Sequence, residues 1–171
     1  MARLRTDVEA VRVEGGLLAD LYARHSGEAL RLAYLLTGDA SLAEDLVQDA
    51  FVRLAGRLLH LRDPGGFHAY LRKTIVNLAR SHFRRRAVER RFLEHQLEPP
   101  ATEPTELSER DRTRRALAAL PLRQRTAVVL RYFEDLSEAQ TADIMGCRPG
   151  AVKSLVSRAM STLRTTLGED R

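Results

Sequence analysis

Two short helices joined by a tight turn are predicted over residues 137–164, and this pattern constrains the fold more than any other part of the chain. Ser137 and Gln140 have the spacing of a capping box, which marks the start of the first helix. Gly146 supplies the left-handed residue that ends this helix, and Pro149 opens the second one. A helix, a glycine-containing turn and a second helix are typical of the DNA-reading helix-turn-helix motif.

The second helix of this pair, from Arg148 to Arg164, is predicted to present a polar and basic outer face. Its apolar residues face the core at helical spacing: Val152, Leu155 and Val156. The remaining residues form the outer face: Lys153, Ser154, Ser157 and Arg158. Such a helix can enter a major groove, with its N-terminal residues on base edges and its flanks on phosphates. The alternative for Arg158 and Arg164 is that they do not contact DNA and only stabilise the C-terminus of their own helix through its dipole.

Apolar residues recur at helical spacing through the N-terminal half of the chain as well. They predict a first helix over residues 17–37, ended by Gly38. Ser41 and Glu44 have the spacing of a second capping box, so a second helix is predicted from Ser41 to about Leu59.

Three further helices complete the prediction. One begins between Asp63 and Phe67 and continues into a basic cluster at residues 84–91. Two more are predicted at about 108–120 and 122–133, where they brace the helix-turn-helix. No stretch of useful length alternates with period two, so the chain is predicted to be all-α.

The composition changes abruptly over residues 93–108, which are rich in Pro, Thr and Glu and nearly free of large apolar side chains. This stretch is predicted to be a flexible, acidic linker. It separates a helical domain at 17–92 from a four-helix domain at 109–168 that contains the helix-turn-helix. Residues 1–16 are an N-terminal tail to which the sequence assigns no role.

Charge and cysteine content indicate the kind of partner and compartment. The formal net charge of +5 and the clustering of the basic residues suit a polyanionic partner. Cys147 is the only cysteine, so no intramolecular disulfide and no cysteine zinc cluster can form. No apolar run approaches the thickness of a bilayer, and the N-terminus lacks a signal sequence. We therefore expect a cytoplasmic protein that does not insert into membranes.

The sequence offers little for catalysis. The five histidines are scattered without metal-ligand spacing: His25, His60, His68, His82 and His95. No glycine-rich phosphate loop follows a predicted strand. Glu44, Asp45 and Asp49 could hold Mg²⁺ in a nuclease, but they come from one helix without a second carboxylate set. We expect no metal, no cofactor and no enzymatic activity.

Four strings in this order resemble a bacterial RNA polymerase sigma factor of the extracytoplasmic-function type, a group within the sigma-70 family, in its actinobacterial form. They are LYARHSGEALRLAYLLTGD, AEDLVQDAFVRLA, AYLRKTIVNLARSHFRRR and ALAALPLRQRTAVVLRYFEDLSEAQTADIMGCRPGAVKSLVSRAMSTLRTTL. They cover nearly all of the chain beyond residue 16. The resemblance implies that the first domain binds core polymerase and the minus-10 promoter element, and that the second binds the minus-35 element.

The polymerase-binding surface implied by the resemblance is the acidic face of the second predicted helix: Glu44, Asp45, Gln48 and Asp49. Asp45 and Asp49 lie side by side at i, i+4, a spacing that costs helix stability and suggests a cationic partner surface. The alternative is a solvated helix face whose acids interact with the helix dipole near its N-terminus.

The minus-10 surface implied by the resemblance centres on the third predicted helix: Arg62, Tyr70, Arg72, Lys73, Asn77, Arg80, Arg84 and Arg85. By similarity to the family, Asn77 and the loop 62–66 would recognise a flipped base on the melted strand, with arginines on the backbone and Tyr70 stacking. The family often has Trp at the position of Tyr70 and Asp at the position of Ser81. For Arg86, Arg90 and Arg91 a solvated surface role is the alternative.

The minus-35 surface implied by the resemblance is the outer face of the recognition helix: Arg148, Lys153, Ser154, Ser157 and Arg158. Ala151 stands where many relatives have Thr, which removes one hydroxyl contact to phosphate. The acidic linker either lies in the positively charged RNA channel of the polymerase, as the family analogy implies, or is a spacer without a binding role.

The whole pattern predicts a promoter-specificity subunit that binds core RNA polymerase, duplex DNA at minus-35 and the melted strand at minus-10. An anti-sigma factor is a further partner implied by the resemblance. The rival hypothesis is a stand-alone helix-turn-helix regulator that binds a palindrome as a dimer, but it leaves the first domain without a role.

Overall fold

The computed structural model describes residues 2–55, 66–93 and 109–168, and these residues form seven α-helices. They are α1 Ala2–Thr37, α2 Ala40–Ala55, α3 Phe67–Leu93, α4 Glu109–Ala119, α5 Leu122–Val128, α6 Glu138–Met145 and α7 Pro149–Leu167. A π-helical turn, Val129–Phe133, continues α5. Within these ranges there is no strand, and the predicted all-α fold is confirmed. The predicted linker 93–108 lies almost wholly outside the described residues.

Two details of the N-terminal helices differ from the prediction. Helix α1 begins at Ala2, so the expected start near Leu17 was wrong. Helix α2 is capped by Asp39, whose Oδ1 accepts a hydrogen bond from the Leu42 backbone N–H at 3.1 Å. The Ser41 and Glu44 capping box was therefore also wrong, because Ser41 already lies inside the helix. Gly38 has a φ of 73° and makes the left-handed turn after α1 that the sequence predicted.

Helices α1, α2 and α3 pack against one another as an N-terminal unit. The largest buried side chains of this unit come from all three helices: Leu32, Leu36, Val47, Phe67, Leu71 and Ile75. The Phe51 ring lies between Tyr22 and Phe67, with ring centroids 4.9 Å and 5.9 Å away. This core fixes the start of α3 against the middle of α1.

Helices α4 to α7 form a C-terminal unit, within which α7 packs against α4, α5 and α6. The predicted capping box of α6 is confirmed, since the Ser137 side chain accepts from the Gln140 backbone and the Gln140 side chain accepts from the Ser137 backbone. Gly146 ends α6 with a φ of 62°. Pro149 is the first residue of α7, as predicted.

The two units pack against each other, and one apolar cluster contains buried side chains from both of them. A second, smaller cluster lies within the C-terminal unit and contains Leu117, Leu120, Val128 and Ala159. Arg125 lies at this junction and is buried. Its guanidinium donates to the backbone carbonyls of Leu36 and Ala118, each at 2.6 Å. These carbonyls are in the last turns of α1 and α4, where helices leave acceptors unsatisfied and the dipole favours a cation. Burial lowers the pKa of Arg125, although an arginine remains charged.

None of the described helices combines the length and the apolar character needed to cross a membrane.

Candidate nucleic-acid interface

The recognition helix α7 is held by its apolar side and leaves its predicted outer face open. Val152 and Ala159 are fully buried, and Leu155 and Val156 are half-buried. The residues predicted to face DNA are all exposed: Arg148, Lys153, Ser154, Ser157 and Arg158. The sequence thus predicted both sides of this helix.

The turn before α7 fixes the direction in which the helix leaves the unit. The Cys147 backbone N–H donates to the Ala142 carbonyl at 3.0 Å, which closes the turn after Gly146. Cys147 itself packs against the core as a half-buried side chain. Ser154 Oγ donates to the Gly150 carbonyl at 3.0 Å, so its hydroxyl proton is used within the helix and its oxygen is left as an acceptor.

Helix α3 presents a second polar and basic face. Tyr70 is 54% exposed, and Asn77, Arg80, Arg84 and Arg85 are also exposed. Leu71, Ile75 and Leu78 are buried on the opposite side of the helix. Arg62, the remaining member of the predicted minus-10 surface, lies outside the described residues.

Two residues of the predicted minus-10 surface contact the C-terminal unit. Arg72 Nε donates to Glu134 Oε2 at 2.6 Å, and the Glu134 side chain is only 2% exposed. Lys73 Nζ lies 3.2 Å from Asp143 Oδ2 in a more exposed pair. Arg72 and Lys73 therefore both form ion pairs with carboxylates of the C-terminal unit.

A small crevice continues this contact along α3. Asn77 and Arg80 line one side of it, and Leu122, Thr126 and Met145 line the other. The predicted base-reading residue Asn77 therefore lies beside the C-terminal unit. In this arrangement the C-terminal unit contacts part of the predicted minus-10 surface.

The acidic face of α2 is fully presented to solvent. Glu44, Asp45, Gln48 and Asp49 are exposed, whereas Leu46, Val47 and Ala50 are buried beneath them. The first turn of α2 contains no acidic residue, because the helix starts at Ala40. The helix dipole acts within the first turn, so it does not account for these acids.

The sequence did not predict the contacts that Glu134 and Arg125 make. Arg72 and Glu134 are 62 residues apart, and Arg125 and Leu36 are 89 apart. No spacing rule links residues at such separations. Glu134 follows the π-helical turn, and the next residue, Asp135, adopts a left-handed φ of 50°.

Two family models match the chain. The sigma-70 region 2 model matches residues 21–89, which include α2 and most of α3. The sigma-70 region 4 model matches residues 110–163, which include the helix-turn-helix. Both proposed DNA-binding faces and the acidic face of α2 lie within these matches.

Individual proteins agree with the family models. RNA polymerase sigma-E factor of Streptomyces coelicolor is 36% identical over 148 residues, covering 85% of this chain and 84% of that protein. The extracytoplasmic-function sigma factor SigM of Mycobacterium tuberculosis is 30% identical over 168 residues, covering 96% and 86%. The structure of the sigma factor RpoE of Bartonella quintana, in complex with the anti-sigma factor NepR, has a TM-score of 0.73 at 27% identity, covering 90% of this chain and 98% of that one. The chain therefore belongs to the RNA polymerase sigma factors of the extracytoplasmic-function type.

Proposed function

We propose that the chain directs core RNA polymerase to specific promoters and assists their opening through three separate surfaces. The observation that carries this proposal is the exposure of an acidic face on α2 together with two polar and basic faces on α3 and α7. A sigma factor needs one surface for the polymerase and two for promoter DNA. A stand-alone helix-turn-helix regulator would need only α7, and it leaves the region 2 match without a role.

The acidic face of α2 is the proposed polymerase-binding surface. Asp45 and Asp49 repel each other at i, i+4, and no helix-dipole effect offsets that repulsion beyond the first turn. A cationic surface on the polymerase would remove the repulsion on binding. Electrostatic complementarity of this kind also speeds association.

The exposed part of α3 is the proposed minus-10 surface. The Asn77 amide can read a base edge, Arg80, Arg84 and Arg85 can hold phosphates, and the Tyr70 ring can stack on an unpaired base. Opening a duplex costs unstacking energy, and a protein offsets this cost by binding the single strand.

The outer face of α7 is the proposed minus-35 surface. Lys153 and Ser157 lie at the centre of this face. Arg148 lies at its start, where the backbone N–H groups of the helix N-terminus can also bind a phosphate. Two weak DNA contacts on one polymerase gain effective concentration from each other. The linker 93–108 would set their spacing.

We further propose that the two units separate when the chain acts on a promoter. Arg72 and Lys73 are held by Glu134 and Asp143, and they can reach a DNA strand only after these contacts break. The packed arrangement is then the polymerase-free state. In this state the chain alone binds promoter DNA weakly.

In this function the chain itself catalyses no reaction. It directs the chemistry of the polymerase, and it works in the cytoplasm, where that polymerase transcribes. An anti-sigma factor is a further proposed partner, because RpoE of Bartonella quintana, which shares this fold at 27% identity, forms a complex with NepR.

The test is complex formation between the purified chain and core polymerase on a size-exclusion column. Asp45→Arg places a cation in the acidic face of α2 and is expected to abolish co-elution. Asp20→Arg makes the same charge change at an exposed position of α1 and should leave co-elution intact. Equal behaviour of the two variants would contradict the proposed surface.

A further inference from the structure

Two histidines and a glutamate from two helices meet on the surface of the N-terminal unit. His25 and Glu28 are three residues apart on α1, so they share one face of that helix. His68 is the second residue of α3. One ligand atom of each side chain lies within 4.8 Å of the others.

The three side chains already face one another. His68 Nε2 lies 2.9 Å from Glu28 Oε2. The rings of His25 and His68 have centroids 5.0 Å apart and an interplanar angle of 30°. Both rings thus line the same small space beside the carboxylate.

The backbone positions of this cluster are fixed by the core. Phe67, the residue before His68, is 1% exposed, and its ring centroid lies 5.5 Å from that of His25. Ligands on packed helices hold their geometry better than ligands on loops. The side chains of His68 and Glu28 are 27% and 49% exposed, so an ion can enter from solvent.

The donor set is that of a transition-metal site. Two imidazole nitrogens and one carboxylate oxygen are a known zinc ligand set, with water in the fourth position. Zinc–ligand bonds of about 2.0–2.2 Å place the donors of a tetrahedral site about 3.4 Å apart. The present separations, from 2.9 Å to within 4.8 Å, bracket this value and require only side-chain rotation.

We propose that His25, Glu28 and His68 bind one divalent transition-metal ion, with zinc as the expected occupant. The bound ion would link the middle of α1 to the start of α3. It would therefore stabilise the unit whose third helix carries the proposed minus-10 surface. The sequence alone did not reveal this site, because His68 comes from another helix 40 residues after Glu28.

The test is metal binding to the full-length chain after chelator treatment. Calorimetric titration with Zn²⁺ is expected to give one saturable site, and Co²⁺ is expected to give the visible absorption of a site with low coordination number. Thermal unfolding should shift to higher temperature with Zn²⁺. His25→Ala and His68→Ala should each weaken binding at least about tenfold.

The controls separate this site from other zinc ligands on the chain. Glu28→Gln changes an exposed side chain without altering its size and should also weaken binding, even if a histidine variant folds poorly. His82→Ala and Cys147→Ser remove donors elsewhere and should leave binding unchanged. Absence of a one-to-one site, or equal binding by wild type and Glu28→Gln, would overturn the proposal.

Discussion

Gly146 ends α6 in the left-handed backbone region, which residues with a Cβ disfavour. A Cβ added at Gly146 would meet nothing within 4 Å, so backbone strain alone decides the cost of a substitution. We expect Gly146→Ala to lower the free energy of unfolding by about 1–2 kcal/mol, as measured by urea denaturation.

Gly150 is the matched control for this prediction. It lies within α7, has no positive φ, and would also meet nothing with an added Cβ. Gly150→Ala should leave stability unchanged or raise it by up to about 1 kcal/mol, because alanine favours helix more than glycine. A similar loss in both variants would contradict the assignment of the cost to the left-handed backbone of Gly146.

Substitution of Asn77 tests the proposed contact between its amide and a base of the melted strand. Asn77→Ala should leave binding to core polymerase intact and reduce open-complex formation about tenfold, since one amide contact to a base edge contributes about 1–3 kcal/mol. Permanganate reactivity of unpaired thymines measures the opening. Ser81→Ala on the same exposed helix should have little effect, and loss of polymerase binding by Asn77→Ala would place the residue in a different surface.

The two predicted helix caps show what short-range sequence patterns can and cannot predict. The Ser137 and Gln140 capping box was predicted correctly because all of its atoms lie within four residues. At α2 the prediction placed the cap at Ser41, whereas the structure places it at Asp39. Helix α1 continues to Thr37 and Gly38 makes the turn, so Asp39 is the first residue placed to cap the next helix.

The α2 cap gives a prediction with a matched pair of variants. Asp39→Ala removes the side chain that accepts from Leu42 N–H and should cost about 1 kcal/mol of stability. Ser41→Ala should cost nothing, because Ser41 is exposed inside the helix and alanine has a higher helix propensity. Chemical denaturation of both variants decides between the two caps. A larger loss for Ser41→Ala would contradict the structure.

Other element boundaries depend on contacts that periodicity does not contain. The apolar spacing of residues 122–133 predicted one helix, but its last five residues form a π-helical turn. In this turn the Glu134 backbone N–H donates to the Val129 carbonyl at 3.1 Å, which directs the Glu134 side chain toward α3. This change in the backbone hydrogen-bond register does not alter the spacing of the apolar residues, so the sequence pattern could not predict it.

The contact between the two units could not be predicted from the sequence. Arg72 and Lys73 were assigned to DNA from their place on a basic helix face, and their exposed neighbours fit that assignment. Their carboxylate partners come from residues 62 and 70 positions further along the chain. Periodicity predicts which face of a helix is polar, but not which polar group it meets.

The pair formed by Arg72 and Glu134 gives a prediction about this contact. Glu134→Gln keeps the size of the side chain and removes its charge, so it should cost about 2 kcal/mol of stability, the contribution of a hydrogen bond to a charged group. The units should then separate more often, which small-angle scattering would detect as a larger radius of gyration.

Asp143→Asn is the control for the Glu134 variant. The Asp143 side chain is 77% exposed, and surface ion pairs contribute little. This variant should therefore change neither stability nor the radius of gyration. If Asp143→Asn and Glu134→Gln behave alike, the buried pair does not hold the packed arrangement.

We expect this chain to find promoters only when it is bound to core polymerase. The most direct measurement compares one promoter fragment with the chain alone, with core polymerase alone and with both, scoring DNA binding and transcript initiation in each case. We expect promoter-dependent transcripts and stable binding only when both proteins are present. Tight binding of the double-stranded fragment by the chain alone, with no effect of added core polymerase on transcription, would contradict the account.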